Sequence, residues 1–95
     1  MPDMLSIIIP LYNEQDNVAP LYDKLDAVLP GLGHPYEIIL VNDGSGDATR
    51  ERLDALACRD DRIRVVHLRR NFGQTAAMMA GIDMARGDIL IPMDG

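Results

Sequence analysis

The feature that most constrains this chain is a set of short apolar runs with no polar alternation. Leu5–Pro10 (LSIIIP), Tyr36–Val41 (YEIILV), Ile63–Leu68 (IRVVHL) and Ile89–Met93 (ILIPM) are rich in β-branched residues and too short for buried helices. A strand with one wet face alternates apolar and polar residues, so runs like these predict strands buried on both faces. The segments between them carry helical periodicity. Val18, Leu21, Leu25, Val28 and Leu29 fall on one helical face, Pro20 sits early enough to be tolerated, and Pro30-Gly31 with Gly33 end the helix. A second helix, capped by Asp47 or Thr49, turns Leu53, Leu56 and Ala57 inward. A third is predicted over Gly73–Arg86, with Ala76, Met79, Ala80 and Asp83 marking successive turns and Gly87 as its C-terminal cap.

The resulting order is β-α-β-α-β-α-β. Helical crossovers make successive strands parallel, and right-handed crossovers give an α/β, Rossmann-like, doubly wound and mainly parallel sheet. At 95 residues the chain is one domain at most. With 47% hydrophobic residues but only 4% aromatic, its core must be aliphatic. Fifteen acidic against nine basic residues, net charge −6, leave no basic face for nucleic acid. The single Cys58 has no internal partner, so a reducing, cytoplasmic setting is expected. The opening MPDMLSIIIP has an acid where a signal peptide carries bases, and no apolar run approaches the roughly 20 residues of a membrane span.

In an open parallel sheet, ligands bind beyond the carboxyl ends of the strands, near the point where strand order reverses. Tyr12, Asn13 and Glu14 follow the first strand, and Asn42, Asp43, Ser45 and Asp47 the second. Arg69, Arg70 and Asn71 follow the third, and Asp94 the fourth. Parallel topology brings all four groups to one rim. Acids abutting the second and fourth strands, with paired arginines between, exceed what loop composition alone explains. The stretch Ile38–Thr49 (IILVNDGSGDAT) is no dinucleotide fingerprint, because Gly44-Ser45-Gly46 follows the second strand and Thr49 stands where a third glycine belongs. There is no Walker loop. An EF-hand register would put Val41 first and Arg52 last, where acids are required. What survives is Asp43 as a carboxylate free to accept hydrogen bonds from a base or ribose, with Asp47 read as a helix cap.

Together these segments resemble glycosyltransferase family 2, with its nucleotide-sugar-binding GT-A fold. The matching stretches are SIIIPLYNEQDNV, EIILVNDGSGDAT, RNFGQTAAMMAGIDMARGD and ILIPMDG, in order and covering nearly the whole chain. The third is most similar to the branch that transfers sugars to polyprenyl phosphates. The resemblance implies that Pro10, Tyr12 and Glu14 shape a pocket for base and ribose, with Asn13 supporting the loop. It implies that Asp43 bonds the nucleoside and that Arg70, with Arg69, lies near the diphosphate. Asp94 would open a D-x-D motif and contact ribose or a metal ion, Mg²⁺ or Mn²⁺. The implied partners are a UDP- or GDP-linked sugar and a lipid-phosphate or carbohydrate acceptor. The implied reaction is a metal-assisted inverting displacement, and the full-length protein would work at the cytoplasmic face of a membrane.

Residues 1–95 are accordingly expected to be the nucleotide-sugar-binding part of such a domain, cut one position before the motif's second aspartate. By the resemblance, the main metal ligand, acceptor site and catalytic base lie elsewhere, so the fragment is expected to be inactive and prone to self-association through an uncovered strand edge. Two rival readings remain at this point. One is a non-catalytic nucleotide- or metal-binding regulatory domain, although Asn13-Glu14 is a poor match to the acidic pair that a receiver-like fold requires. The other is a piece that only binds or self-associates. The remaining polar residues take plain roles: His34 and His67 structural or exposed, Met78 and Met79 core filling, Cys58 unreactive. Arg59–Arg62 reads as a solvated loop, and Glu51, Arg52 and Asp54 as a wet helix face.

Overall fold

A computed structural model describes residues 2–94; Gly95, which closes the fourth matching stretch, lies outside them. Strands β1 (Leu5–Leu11), β2 (Tyr36–Asn42), β3 (Ile63–His67) and β4 (Ile89–Pro92) alternate with helices α1 (Val18–Val28), α2 (Thr49–Arg59) and α3 (Gln74–Met84). Short 3₁₀ turns at Gln15–Asn17 and Leu29–Leu32 flank α1, the second carrying the chain through Pro30-Gly31 to a left-handed Gly33. All strand pairs are parallel and the order is β3-β2-β1-β4. Strand order therefore reverses between β1 and β4. No helix among the described residues is long and apolar enough to cross a membrane.

The sheet separates two aliphatic layers. Ile7, Ile9, Ile38 and Leu40 pack with Val18, Leu25, Leu53 and Leu56, so α1 and α2 share one face. On the other face, Ile8, Ile39 and Val41 pack against Ala77, so α3 lies alone there. A Cβ on Gly81 would overlap the Ile8 side chain, so α3 sits close to the sheet because the facing residues are small. That contact corrects the expected helical face. Ala77 and Gly81 are the buried positions, whereas Ala76, Met79 and Asp83 are exposed and Met79 is not core filling. Val28 is also exposed, since α1 gives way to the 3₁₀ turn at that point.

Three further expectations change. Gly87 does not cap α3, which ends at Met84; a Cβ there would overlap Ser6 on β1, so close approach is what requires glycine. The segment Arg59–Arg62 is not a plain solvated loop. Asp60 is buried, accepts bonds from the Arg62 backbone and guanidinium and from the Tyr22 hydroxyl, and thereby ties α1 to the α2–β3 turn. Its bonds to Arg62 hold that carboxyl below the usual range. Burial on both faces holds for β1 and β2, but the edge strand β3 is largely half-buried and β4 is mostly exposed. Edge strands have one neighbour only, and a single helix over one face leaves β4 open.

The amino-terminal end of the sheet is closed by a charge that the sequence did not advertise. Glu37 is buried in β2, and its carboxylate accepts bonds from Ser6 Oγ (2.7 Å), Arg64 Nη1 (3.0 Å) and the Arg86 N–H (2.6 Å). Burial would raise its pKa, but these donors outweigh it and hold the group at about 2, against an ordinary 4.5. A depressed pKa adds stability above 4.5 that is lost as pH falls toward 2, by about 3 kcal/mol on linkage grounds. Glu37→Gln is therefore expected to be roughly 2–3 kcal/mol less stable at neutral pH. The gap should close between about pH 4.5 and pH 2, as followed by urea unfolding across that range.

Candidate functional site

The carboxyl ends of β1, β2 and β4 surround an open cleft of about 320 Å³, lined by Pro10, Leu11, Tyr12, Glu14, Asp43, Asn71, Gly73, Gln74 and Asp94. It lies where strand order reverses, the position at which open α/β sheets bind ligands. Five of the seven expected site residues meet there: Pro10, Tyr12, Glu14, Asp43 and Asp94. Tyr12 is half exposed and can lay its ring against a flat group. Leu11, Gly73 and Gln74 were not singled out as site residues from the sequence, although all three lie within the matching stretches quoted above.

Asn13 and Arg70 do not line the cleft. Asn13 adopts a left-handed conformation (φ 50°), which Asn tolerates better than most residues. Its N–H donates to Ser45 Oγ and its Oδ1 accepts from the Gly46 N–H, binding the β1–α1 loop to the β2–α2 loop. Asp47 accepts from the Thr49 N–H and hydroxyl at the start of α2 and from the Gln15 N–H, and the Thr49 bonds in particular lower its pKa. The β2–α2 turn is thus chiefly a brace for the rim. Arg70 stacks on the Phe72 ring, 4.6 Å from its centroid, and with Arg69 and Phe72 lines a separate groove on the β3–α3 loop.

Asp43 has a second employment. Only 3% exposed, its carboxylate accepts from the N–H groups of Phe72 (2.8 Å) and Gly73 (3.1 Å) and from Asn71 Nδ2 (3.1 Å). A carboxylate has about four acceptor positions, so three bonds to the β3–α3 loop leave little capacity for a ligand. Gly44 next to it has φ 69°, and a Cβ there would overlap the Arg70 backbone. The two residues together fix the loop that carries Arg70. His67, by contrast, is structural: it lies between Asn42 Nδ2 (3.1 Å) and Asp54 Oδ1 (2.7 Å) at the end of β3.

Among the described residues no group of three or more His, Cys, Asp or Glu could hold a metal ion. An all-protein metal cage is therefore a poor fit. Asp94, a hard-oxygen donor exposed at the mouth of the cleft, does fit a divalent ion shared with phosphate oxygens, the usual mode for Mg²⁺.

The fold and cleft define a doubly wound α/β protein with an open cleft at the switch point of a parallel sheet. The profile of "Glycosyl transferase family 2" matches residues 6–95, and the chain belongs to that family. It is 47% identical over 92 residues to a dodecaprenyl-phosphate galacturonate synthase of Rhizobium johnstonii, covering 96% of this chain and 27% of that protein. It is 43% identical over 93 residues to an undecaprenyl-phosphate 4-deoxy-4-formamido-L-arabinose transferase of Pseudomonas paraeruginosa, covering 97% and 27%. Among solved structures, the mannosyltransferase PcManGT of Pyrobaculum calidifontis, in complex with GDP-Man and Mn²⁺, superimposes with a TM-score of 0.77 at 22% identity, over 99% of this chain and 28% of that one. S. aureus TarS 1-349 with UDP gives 0.78 at 22% identity, over 99% and 27%. The fold is thus that of the N-terminal portion of these glycosyltransferases, and the chain spans about a quarter of the relatives' length.

Replacing Asp43 by Asn removes a charged acceptor from the β3–α3 loop and sets an amide N–H₂ against backbone donors. Asp43→Asn is expected to cost roughly 2–3 kcal/mol of stability, read from denaturant unfolding. Enhanced amide hydrogen exchange at Phe72 and Gly73 would mark the released loop.

Proposed function

We propose that residues 1–95 form the nucleotide-sugar-binding part of an enzyme that moves a sugar from a nucleotide diphosphate to a polyprenyl phosphate. The observation that carries this reading is the convergence of Pro10, Tyr12, Glu14, Asp43 and Asp94 on one cleft at the strand-order reversal. The names of the two sequence relatives, both polyprenyl-phosphate enzymes, support the acceptor class. The GDP-Man, UDP and Mn²⁺ bound in structural neighbours support the donor class and a divalent ion.

In this reading Tyr12 and Pro10 form a wall for the base, and Glu14 and the remaining acceptor capacity of Asp43 take hydroxyl or ring N–H donors. Asp94 faces the ribose and diphosphate. A divalent ion held by Asp94, when bound, would neutralise the charge that develops on the leaving diphosphate. Arg70 reaches the phosphates by leaving its stack on Phe72, a contact worth only about 0.5–1 kcal/mol at an exposed site. The acceptor phosphate is already ionised near neutral pH and needs little help from a base in a single inverting displacement. The 95 residues bind donor and do not turn it over alone.

Calorimetric titration with UDP and with GDP, each with and without Mn²⁺, tests the proposal. One nucleotide should bind, about tenfold more tightly with the metal, equivalent to 1.4 kcal/mol. Asp94→Asn should abolish the difference. Indifference to both nucleotides overturns the reading.

The open edge of β4 supports a further property of this chain. Ile89 and Leu90 are 42% and 41% exposed on an edge strand without the charges that usually guard one. Self-association through β4 is expected, seen as a concentration-dependent sedimentation coefficient that Leu90→Lys suppresses. A monomer at all concentrations would contradict it.

A further inference from the structure

The Gln74 side chain donates through Nε2 to Asp94 Oδ1 at 2.6 Å, across the mouth of the cleft. Among the described residues this is the only hydrogen-bond partner of the Asp94 side chain. Asp94 is exposed and lies two residues beyond β4, with its backbone tethered only nearby, where the Met93 N–H donates to Ile8 O at 2.9 Å. An exposed aspartate so placed would sample several rotamers unless a neighbour selects one.

What places Gln74 is equally visible. It is the first residue of α3, directly after Gly73, whose φ of 102° is closed to side-chain-bearing residues without strain. The Gly73 N–H donates to Asp43 Oδ2, and the Gly73 carbonyl accepts the first helical bond, from the Ala77 N–H. Asp43 at the end of β2 therefore sets the start of α3, and α3 carries Gln74 across β1 to Asp94 beyond β4. Two carboxylates on opposite sides of β1 are linked through the adjacent residues Gly73 and Gln74 at the start of α3.

We propose that Gln74 is a positioning residue that orients Asp94 toward a divalent ion and the nucleotide phosphates. An amide suits this task better than an ammonium would. It occupies one carboxylate oxygen and leaves the other oxygen, and the full negative charge, facing the cleft. Partners that orient a metal ligand in this way commonly change metal affinity 10–100-fold when removed. The proposal rests on the sugar-nucleotide reading of the cleft and adds to it the residue that aims Asp94.

Gln74→Met keeps the length of the side chain and its helix propensity but removes the donor. Nucleotide binding by the 95-residue chain is measured without metal and across a Mn²⁺ series, with the Mn²⁺ paramagnetic resonance spectrum as a second readout and circular dichroism to confirm folding. The expected result is a Mn²⁺ midpoint raised about tenfold or more, a larger change than any in the metal-free nucleotide affinity. A variant with the same Mn²⁺ midpoint as the wild type overturns the proposal and leaves the parent reading intact. Equal losses with and without metal also overturn it, because they assign Gln74 to the shape of the cleft and not to Asp94. A wild-type chain whose nucleotide binding ignores Mn²⁺ overturns the metal role of Asp94 and, with it, the proposal.

Discussion

β1 is hydrogen-bonded to β2 along one edge and to β4 along the other, and its side chains are buried on both faces of the sheet. That double enclosure is the constraint on which the rest depends. A strand buried in this way tolerates only apolar or fully bonded side chains, and it fixes its neighbours as parallel because every connection must cross over through a helix. Parallel strands then deliver their carboxyl ends to one rim, and the chain's return to the far side of β1 to place β4 opens the cleft between Tyr12 and Asp94.

Carboxylates at the two ends of this sheet do different work because their surroundings differ. Glu37 at the amino end and Asp43 at the carboxyl end are both buried; Glu37 takes donors from three separate parts of the chain, and Asp43 takes three from the single β3–α3 loop. A buried charge persists only when so compensated, and each therefore locks neighbouring elements together. Asp94 is exposed, engages a single neutral amide, and keeps its charge available. The rim combines a rigid clasp with an exposed carboxylate, the arrangement that the proposed binding of a nucleotide sugar requires.

The departures from expectation share a cause in packing. α3 carries apolar residues all round, so periodicity could not choose its buried face. The choice fell to size, because Ala77 and Gly81 let the helix approach Ile8 and Val41. β4 has an apolar sequence like that of β1, and β3 is apolar apart from Arg64 and His67, yet both lie at the sheet edges and are only partly covered. Asp60 looked like one charge in a loop of four, and its carboxylate is buried where the Tyr22 hydroxyl, from a distant point of the chain, joins the nearby Arg62 in bonding it.

Residue order alone determined the four strands, the three helices, the parallel connection between them and the rim on which Pro10, Tyr12, Glu14, Asp43 and Asp94 meet. These follow from local periodicity and from the handedness of crossovers, both of which are written in short stretches of sequence. Tertiary structure alone decided that Asp43 clasps a loop, that Arg70 rests on Phe72 outside the cleft, and that Gln74 reaches Asp94. Asp43 and Gln74 meet their partners across 20 to 30 positions of the chain, and Arg70 stacks on a near neighbour in a loop without regular structure; periodicity encodes neither kind of contact.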